Sequence, residues 1–389
     1  MKVSIIRCQS YDRGEVRQKV QEAVAPFGGF AAFVRPGEKV LVKPNLLVAA
    51  APDKAVTTHP EVVRAVVEGC QAAGAEVWVG DSPGFGNVEK IAARCGILQV
   101  CQETGVRFVS LDRAVDVPFP EGKWVKRFPL GEAVRQVDKV ISVAKFKTHG
   151  LAFYTGAVKN LYGMVAGVEK AAFHLRYQSR EEHAGLLVDL YRLVRPVLSI
   201  VDAVVGMEGA GPQHGTPRPV GLLLAGTDGL AVDAVGANIM GLEPDRFPLL
   251  QAAALAGERV DLAQVEIVGV PLSEARVPGY VLPETATEGG AALGSRLFTL
   301  QKLSPRLRSW ARRHLNARPV VVPELCLGCG VCRESCPAQA ITVRERRAVI
   351  ADEQCIRCYC CQEMCPQAAI VLRHGPLARL LVRRRPSRR

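Results

Sequence analysis

The chain reads as an α/β protein with a largely parallel sheet, followed by a small α+β unit organised around cysteines. Three observations lead there. Short β-branched runs alternate with amphipathic helical stretches, polar residues stand directly after those runs, and nine of the thirteen cysteines fall between residues 326 and 365. At 389 residues the chain is too long for one small core, so one or two large units plus an appendage are expected. A hydrophobic content of 48% is ordinary for a globular protein.

In chain order, "VSIIRC" is followed by a helix from about Glu15, "KVLVKPN" by a helix from Pro60, and "EVWVGDS" by a helix near Asn87. Then come "RFVSLD", "KVISVAKFK", a helix from about Glu181, "VLSIVDAV", "VGLLLAG", a helix from Gly229 and "VEIVG". Strands alternating with helices of this length build a Rossmann-like sheet domain, expected over about residues 1–270. In "TTHPEVVRAV", Thr57 or Thr58 is expected to cap the helix that Pro60 opens.

Ligands of such sheets sit beyond the carboxyl ends of the strands, so the residues delivered there are the candidates. They are Lys43, Asp81, Lys145, Lys147 and His149, with Ser82, Thr148, Asp202 and Glu208 beside them; His59 opens a helix, and "TGAVKNLYG" adds Lys159, Asn160 and Tyr162. These groups are expected to converge on one rim, where clustered lysines attract an anion such as a carboxylate or phosphate. Solvated surface lysines are the plainer alternative. For His59 and His149, helix capping or loop hydrogen bonding accounts for the residue as well as proton transfer does. Lysine could also bind or activate a carbonyl. Asp202, Asp228 and Asp233 read as turn or cap residues rather than metal ligands. No complete dinucleotide fingerprint, Walker loop, G-x-S-x-G elbow or H-E-x-x-H is present.

The cysteine region is a doubled unit. "CLGCGVCRESCP" and "CIRCYCCQEMCP" both obey C-x2-C-x2-C-x3-C-P in one frame, and Glu324/Glu353, Pro337/Pro366 and Ala340-Ile341/Ala369-Ile370 repeat at the same offset. The frame selects Cys326, Cys329, Cys332 and Cys336, then Cys355, Cys358, Cys361 and Cys365; Cys360 is left as a partly buried thiol. With the fourth cysteine of each run reaching across, Cys326, Cys329, Cys332 and Cys365 are expected to hold one [4Fe-4S] cluster and Cys355, Cys358, Cys361 and Cys336 a second. Zinc would need only C-x2-C pairs, without the prolines at fixed offsets. Over about residues 320–373 this segment resembles the bacterial-type ferredoxins, which implies a ferredoxin-like di-cluster domain that transfers electrons. Clusters that only staple a small domain are the alternative.

The net charge of +12 is local: residues 302–389 hold 18 Lys and Arg against 6 Asp and Glu, whereas residues 1–301 hold 32 of each. Residues 271–319 read as a linker containing a basic amphipathic helix, with Leu303, Leu307, Trp310 and Leu315 near one face. Residues 374–389 read as a basic tail. These segments suit packing between domains or peripheral contact with an anionic membrane surface. Nucleic acid is disfavoured, because aromatic residues are sparse in the tail and no recognition module is visible. Without an apolar signal core or an uninterrupted apolar span, a cytoplasmic protein is expected.

The ordered set "VKPNLL", "THP", "GDSP", "KFKTHG", "TGAVKNLYG" and "DAVVGMEGAGP" resembles the domain of unknown function 362 (DUF362) family over about residues 1–270. The resemblance implies the α/β architecture, the rim residues as motif positions, and the frequent addition of a ferredoxin domain; it implies no substrate. The expected function is passage of single electrons between two clusters and an anionic substrate at the rim, with a redox partner protein. A docking carrier without its own catalysis, and a Lys/His lyase or isomerase with structural clusters, are the alternatives.

Overall fold

The computed structural model describes residues 1–167, 169–286 and 316–374. In the α/β part the strands are β1 (Lys2–Arg7), β2 (Lys39–Pro44), β3 (Glu76–Asp81), β4 (Arg107–Ser110), β5 (Ala114–Pro118), β6 (Arg127–Gly131), β7 (Lys139–His149), β8 (Phe153–Thr155), β9 (Leu198–Glu208), β10 (Thr216–Gly226) and β11 (Glu266–Gly269). One sheet runs in the order β11-β1-β10-β9-β7-β2-β3-β4, with β8 also paired to β7; β5 and β6 form a separate hairpin. The run from β9 to β4 is parallel throughout. Strand β10 is antiparallel to β1 and β9, and β11 is parallel to β1.

Both sheet faces are covered, which is why the central strands are apolar on successive residues. Leu41, Ala144, Phe146, Val201 and Leu224 enter one core, and Val40, Val42, Val143, Ile200 and Leu223 enter the other. The two-residue alternation of side chains along a strand sorts them between the faces. From β2 the chain moves to β3 and β4 on one side, then returns to place β7 and β9 on the other. The switch point therefore lies at β2 and β7, whose carboxyl ends carry Lys43 and His149.

The helix Pro60–Ala72 is not capped by Thr57 or Thr58 as expected. His59 is the cap residue, and its Nδ1 accepts from the Glu61 N–H at 3.3 Å. Thr58 Oγ1 instead donates to the Val143 carbonyl at 2.7 Å and accepts from the Asn45 N–H at 2.8 Å, which ties the end of β2 to β7.

The cysteine unit contains β12 (Arg318–Val321) paired with β15 (Ile370–Arg373), the hairpin β13 (Ile341–Arg344) and β14 (Arg347–Ile350), and short helices at Val331–Glu334 and Cys360–Met364. The first part of the segment expected as a linker packs onto the α/β core instead. Tyr280 donates to the Met207 carbonyl at 2.8 Å, and Thr285 Oγ1 donates to the Gly150 carbonyl at 2.6 Å. The amphipathic helix expected around Leu303, Leu307, Trp310 and Leu315, and the tail beyond residue 374, lie outside the described residues. Among the described residues, no helix is long and apolar enough to cross a membrane.

Candidate functional site

The doubling of the cysteine unit extends to its backbone. Gly328 and Gly330 have φ of 68° and 83°, and their counterparts in the second run, Arg357 and Tyr359, have 60° and 66°. Left-handed backbone between the ligands turns amide groups inward, a geometry that favours an anionic body. The first run uses glycine for it; the second uses L-residues at a cost of about 1–2 kcal/mol each. Tyr359 is anchored by its hydroxyl donating to the Ala317 carbonyl at 3.0 Å, and Arg357 by an ion pair with Asp352 at 2.8 Å.

The sulfurs themselves repeat the symmetry. Cys336 Sγ accepts from the Ala340 N–H and Cys365 Sγ from the Ala369 N–H, each at 3.3 Å. A small cavity is lined by Cys336, Cys355, Cys358 and Cys361 together with Ile341, Ile350 and Tyr359, so the fourth cysteine of the first run stands with three of the second. Burial pushes the Cys332 thiol up, and the neighbouring thiols of Cys365, Cys326 and Cys329 push it in the same direction. Two groups of four soft sulfur donors, left-handed loop backbone and N–H···S bonds fit iron–sulfur clusters. Among the described residues no three His, Cys, Asp or Glu side chains are grouped to hold a single metal ion.

A cleft of about 430 Å³ lies where the cysteine unit meets the carboxyl ends of β2, β3 and β7. The α/β part contributes Lys43, Asp81, His149, Lys159, Asn160 and Tyr162; the cysteine unit contributes Cys336, Cys360, Glu363 and Met364. Five of the eight rim candidates thus meet in one cavity, with two cysteines in its wall.

Lys43 and Asp81 form the floor as a fully buried ion pair, Nζ to Oδ1 2.9 Å. Lys43 also donates to the Pro44 carbonyl at 2.7 Å and to Asn160 Oδ1 at 2.8 Å, while Asn160 Nδ2 donates to the Lys43 carbonyl and Ser142 Oγ, both at 3.0 Å. Asp81 accepts from the Leu46 and Ser82 N–H groups at 2.7 and 2.9 Å. Gly163 presses against this pair so closely that a Cβ there would fall on Asp81 Oδ1 and Lys43 Nζ. Lys43 is therefore neutralised and held, and it is not a free anion trap.

Lys145, Lys147 and His59 do not join the cleft, contrary to the single rim expected. Lys145 pairs with Asp202 at 2.8 Å, and Tyr11 donates to the other Asp202 oxygen at 2.8 Å. Asp202 is thus an ion-pair partner rather than a turn residue. Asp228 does cap the helix Gly229–Ile239, and Asp233 caps from a distance, accepting from the Ala157 and Val158 N–H groups at 2.6 and 3.0 Å. Lys147 points under the Val56 carbonyl at 2.6 Å. Burial pushes its pKa well down, and the neighbouring Lys159, Lys145 and Lys43 push it the same way.

His59 stacks on Tyr11 at 3.6 Å and 8°, and its backbone N–H donates to Asp202. Burial lowers its pKa from 6.5 to about 4. Between those values the unfolded state binds more protons, so stability falls as pH falls through that window. We expect His59→Asn, which keeps a capping acceptor, to lessen the drop in melting temperature between pH 7 and pH 5; equal drops in both proteins would contradict the assignment.

His149 bridges the two units. Its Nδ1 accepts from the Leu151 and Ala152 N–H groups at 3.1 and 3.3 Å, so in the neutral ring the proton is on Nε2, 3.3 Å from Glu363 Oε1. Glu363, Lys170, His174 and His183 complete the cleft lining and were missed from the sequence. Lys170 and His174 are four apart on the helix Glu169–Arg176, a spacing that places them on one face and could have flagged them. Lys170 Nζ donates to Ser82 Oγ at 3.1 Å and the Val165 carbonyl at 2.5 Å, and burial lowers its pKa to about 7. Cys360, set aside by the spacing, is part of the cleft wall.

Residues 40–238 match the family described as "Domain of unknown function (DUF362)", and residues 318–366 match "4Fe-4S dicluster domain". The thylakoid-associated protein sll1697 of Synechocystis sp. is 36% identical over 295 residues, covering 72% of this chain and 88% of that protein. Two solved structures are similar at a distance. The lactate racemase apoprotein of Thermoanaerobacterium thermosaccharolyticum has a TM-score of 0.41 and 9% identity, over 62% of this chain and 57% of that one. A structural-genomics protein from Thermotoga maritima has a TM-score of 0.37 and 13% identity, over 65% and 61%. The chain thus spans less than two thirds of either structure. By the extent of the family match and the identity to the Synechocystis protein, it belongs to the DUF362 family, as an iron–sulfur-binding member with a 4Fe-4S dicluster domain.

Proposed function

We propose that the protein is an electron-transfer oxidoreductase acting on an anionic small molecule bound in the cleft. The observation that carries this reading is the double position of Cys336, which lines the cleft and also the cavity shared with Cys355, Cys358 and Cys361. Two [4Fe-4S] clusters are assigned: one on Cys326, Cys329, Cys332 and Cys365, the other on Cys355, Cys358, Cys361 and Cys336. Clusters bound there supply single electrons, at potentials within about −700 to +450 mV for the class.

The protein's own groups do the rest. Lys43, Asp81 and Asn160 fix the floor; His149 holds an N–H at the contact between the two units; Tyr162 and Leu46 exclude water. A redox partner protein would dock at the other end, where Cys329 is exposed and Leu325 and Leu327 are 48% and 59% exposed. The reading keeps the protein cytoplasmic, with any membrane contact peripheral.

Anaerobic isolation should give broad visible absorption and about eight irons per chain, as two cubanes require. Near-stoichiometric zinc without iron would reject the proposal. With a substrate in hand, His149→Gln should cut turnover while leaving cluster reduction intact; unaltered turnover would favour a carrier without its own catalysis.

A further inference from the structure

One part of the cleft is not used by electron delivery. His183 is 1% exposed, and among the described residues neither of its ring nitrogens has a hydrogen-bond partner. Its ring stacks on His174 at 4.9 Å and 11°, and Tyr162 stands edge-on to both. A neutral imidazole always offers one donor and one acceptor. Leaving such groups unsatisfied costs about 1–3 kcal/mol each, so the cleft retains polar atoms that an incoming group can satisfy.

Two cations face the same space. Lys159 Nζ lies 5.0 Å over the Tyr162 ring and makes no hydrogen bond or ion pair among the described residues. Lys170 uses two of its three donor positions on Ser82 and Val165. Asp81 is paired with Lys43, whereas Glu363 accepts from the neutral His149 ring and keeps its charge, which acts on Lys159. The same cleft is also lined by Phe85, 38% exposed, and by the half-buried Leu47 and Met364, which give it an apolar wall.

We propose that Lys159, Lys170 and His183 form a subsite for the carboxylate of a small organic acid whose apolar body lies against Phe85, Leu47 and Met364. The subsite names the substrate class for the redox reaction and rests on that reading for its use, although binding itself transfers no electron. Of the two ammoniums, the Glu363 carboxylate beside Lys159 offsets one, which leaves a planar monoanion as the match. A phosphate dianion would leave a charge uncompensated.

The test is calorimetric titration of the anaerobic holoprotein with benzoate, benzamide and inorganic phosphate. Benzoate should bind at one site at least tenfold tighter than benzamide, and tighter than phosphate. Lys159→Gln should weaken benzoate at least tenfold, with Lys159→Arg restoring most of the loss. His183→Phe, which keeps the ring and removes both nitrogens, should weaken it severalfold with the visible spectrum unchanged. If that variant loses its clusters, the Lys159 pair decides alone. Equal binding of benzoate and benzamide, preference for phosphate, indifference to Lys159→Gln, or no saturable binding would each overturn the subsite. Carboxylate-selective binding without electron transfer would keep the subsite and reject the redox reading; electron transfer without that selectivity would do the reverse.

Discussion

A Cys336→Ser chain isolated without oxygen is expected to hold about four irons instead of about eight, the count for one cubane rather than two. The cluster lost should be the one beside the cleft, although residue 336 belongs to the first cysteine run. The reason is spatial: Cys336 lines a cavity with Cys355, Cys358 and Cys361. Pairing the substitution with a second one separates crossed from run-by-run ligation. Cys336→Ser with Cys355→Ser strikes one cluster twice and should leave about four irons. Cys336→Ser with Cys326→Ser strikes both and should leave almost none. If each run held its own cluster, the two double variants would exchange results. Because Cys336 also lines the cleft, the single variant should lose turnover together with its iron. A variant that keeps full turnover with four irons would detach the cleft from the clusters.

The cysteine repeat was legible because its spacing defines it, and the offset of 29 between the runs reappears in the backbone. It did not announce that Arg357 and Tyr359 adopt the left-handed conformation taken by Gly328 and Gly330, since only the first run marks it with glycine. The strands were legible from apolar runs, and their carboxyl ends gave Lys43, Asp81 and His149 to the cleft. Partner choice was not legible. Lys43 meets Asp81 because β2 pairs with β3, and Lys145 meets Asp202 because β7 pairs with β9. Those pairings depend on sheet order, and no local pattern encodes it. His59 stood among the rim candidates because it opens a helix there; of its two readings the structure shows the capping one, with the ring stacked on Tyr11. His183 escaped notice because it opens the buried stretch His183–Tyr191 of its helix, where most neighbours are apolar core.

Asp81→Ala should be the most damaging single change in the α/β unit. It strands the Lys43 ammonium in a fully buried position and removes the acceptor for the Leu46 and Ser82 N–H groups. Breaking one side of a buried pair costs about 3–5 kcal/mol. For a chain of this size that is a fall in melting temperature of roughly 6–15 °C, at about 2–3 °C per kcal/mol. Lys43→Met combined with Asp81→Leu removes both charges and should be less destabilised than Asp81→Ala alone, because no uncompensated charge remains. The loss is also expected to depend on pH. Burial already pushes the Lys43 pKa down against the pull of Asp81, and without Asp81 it falls further. Where the folded lysine has lost its proton and the unfolded one has kept it, stability rises with pH. The gap between Asp81→Ala and the parent protein should therefore narrow towards pH 10 and widen towards pH 7. A gap that is constant with pH would mean that the cost comes from the lost backbone acceptor rather than from the stranded charge. Unchanged stability at every pH would show that the pair does not hold the cleft floor.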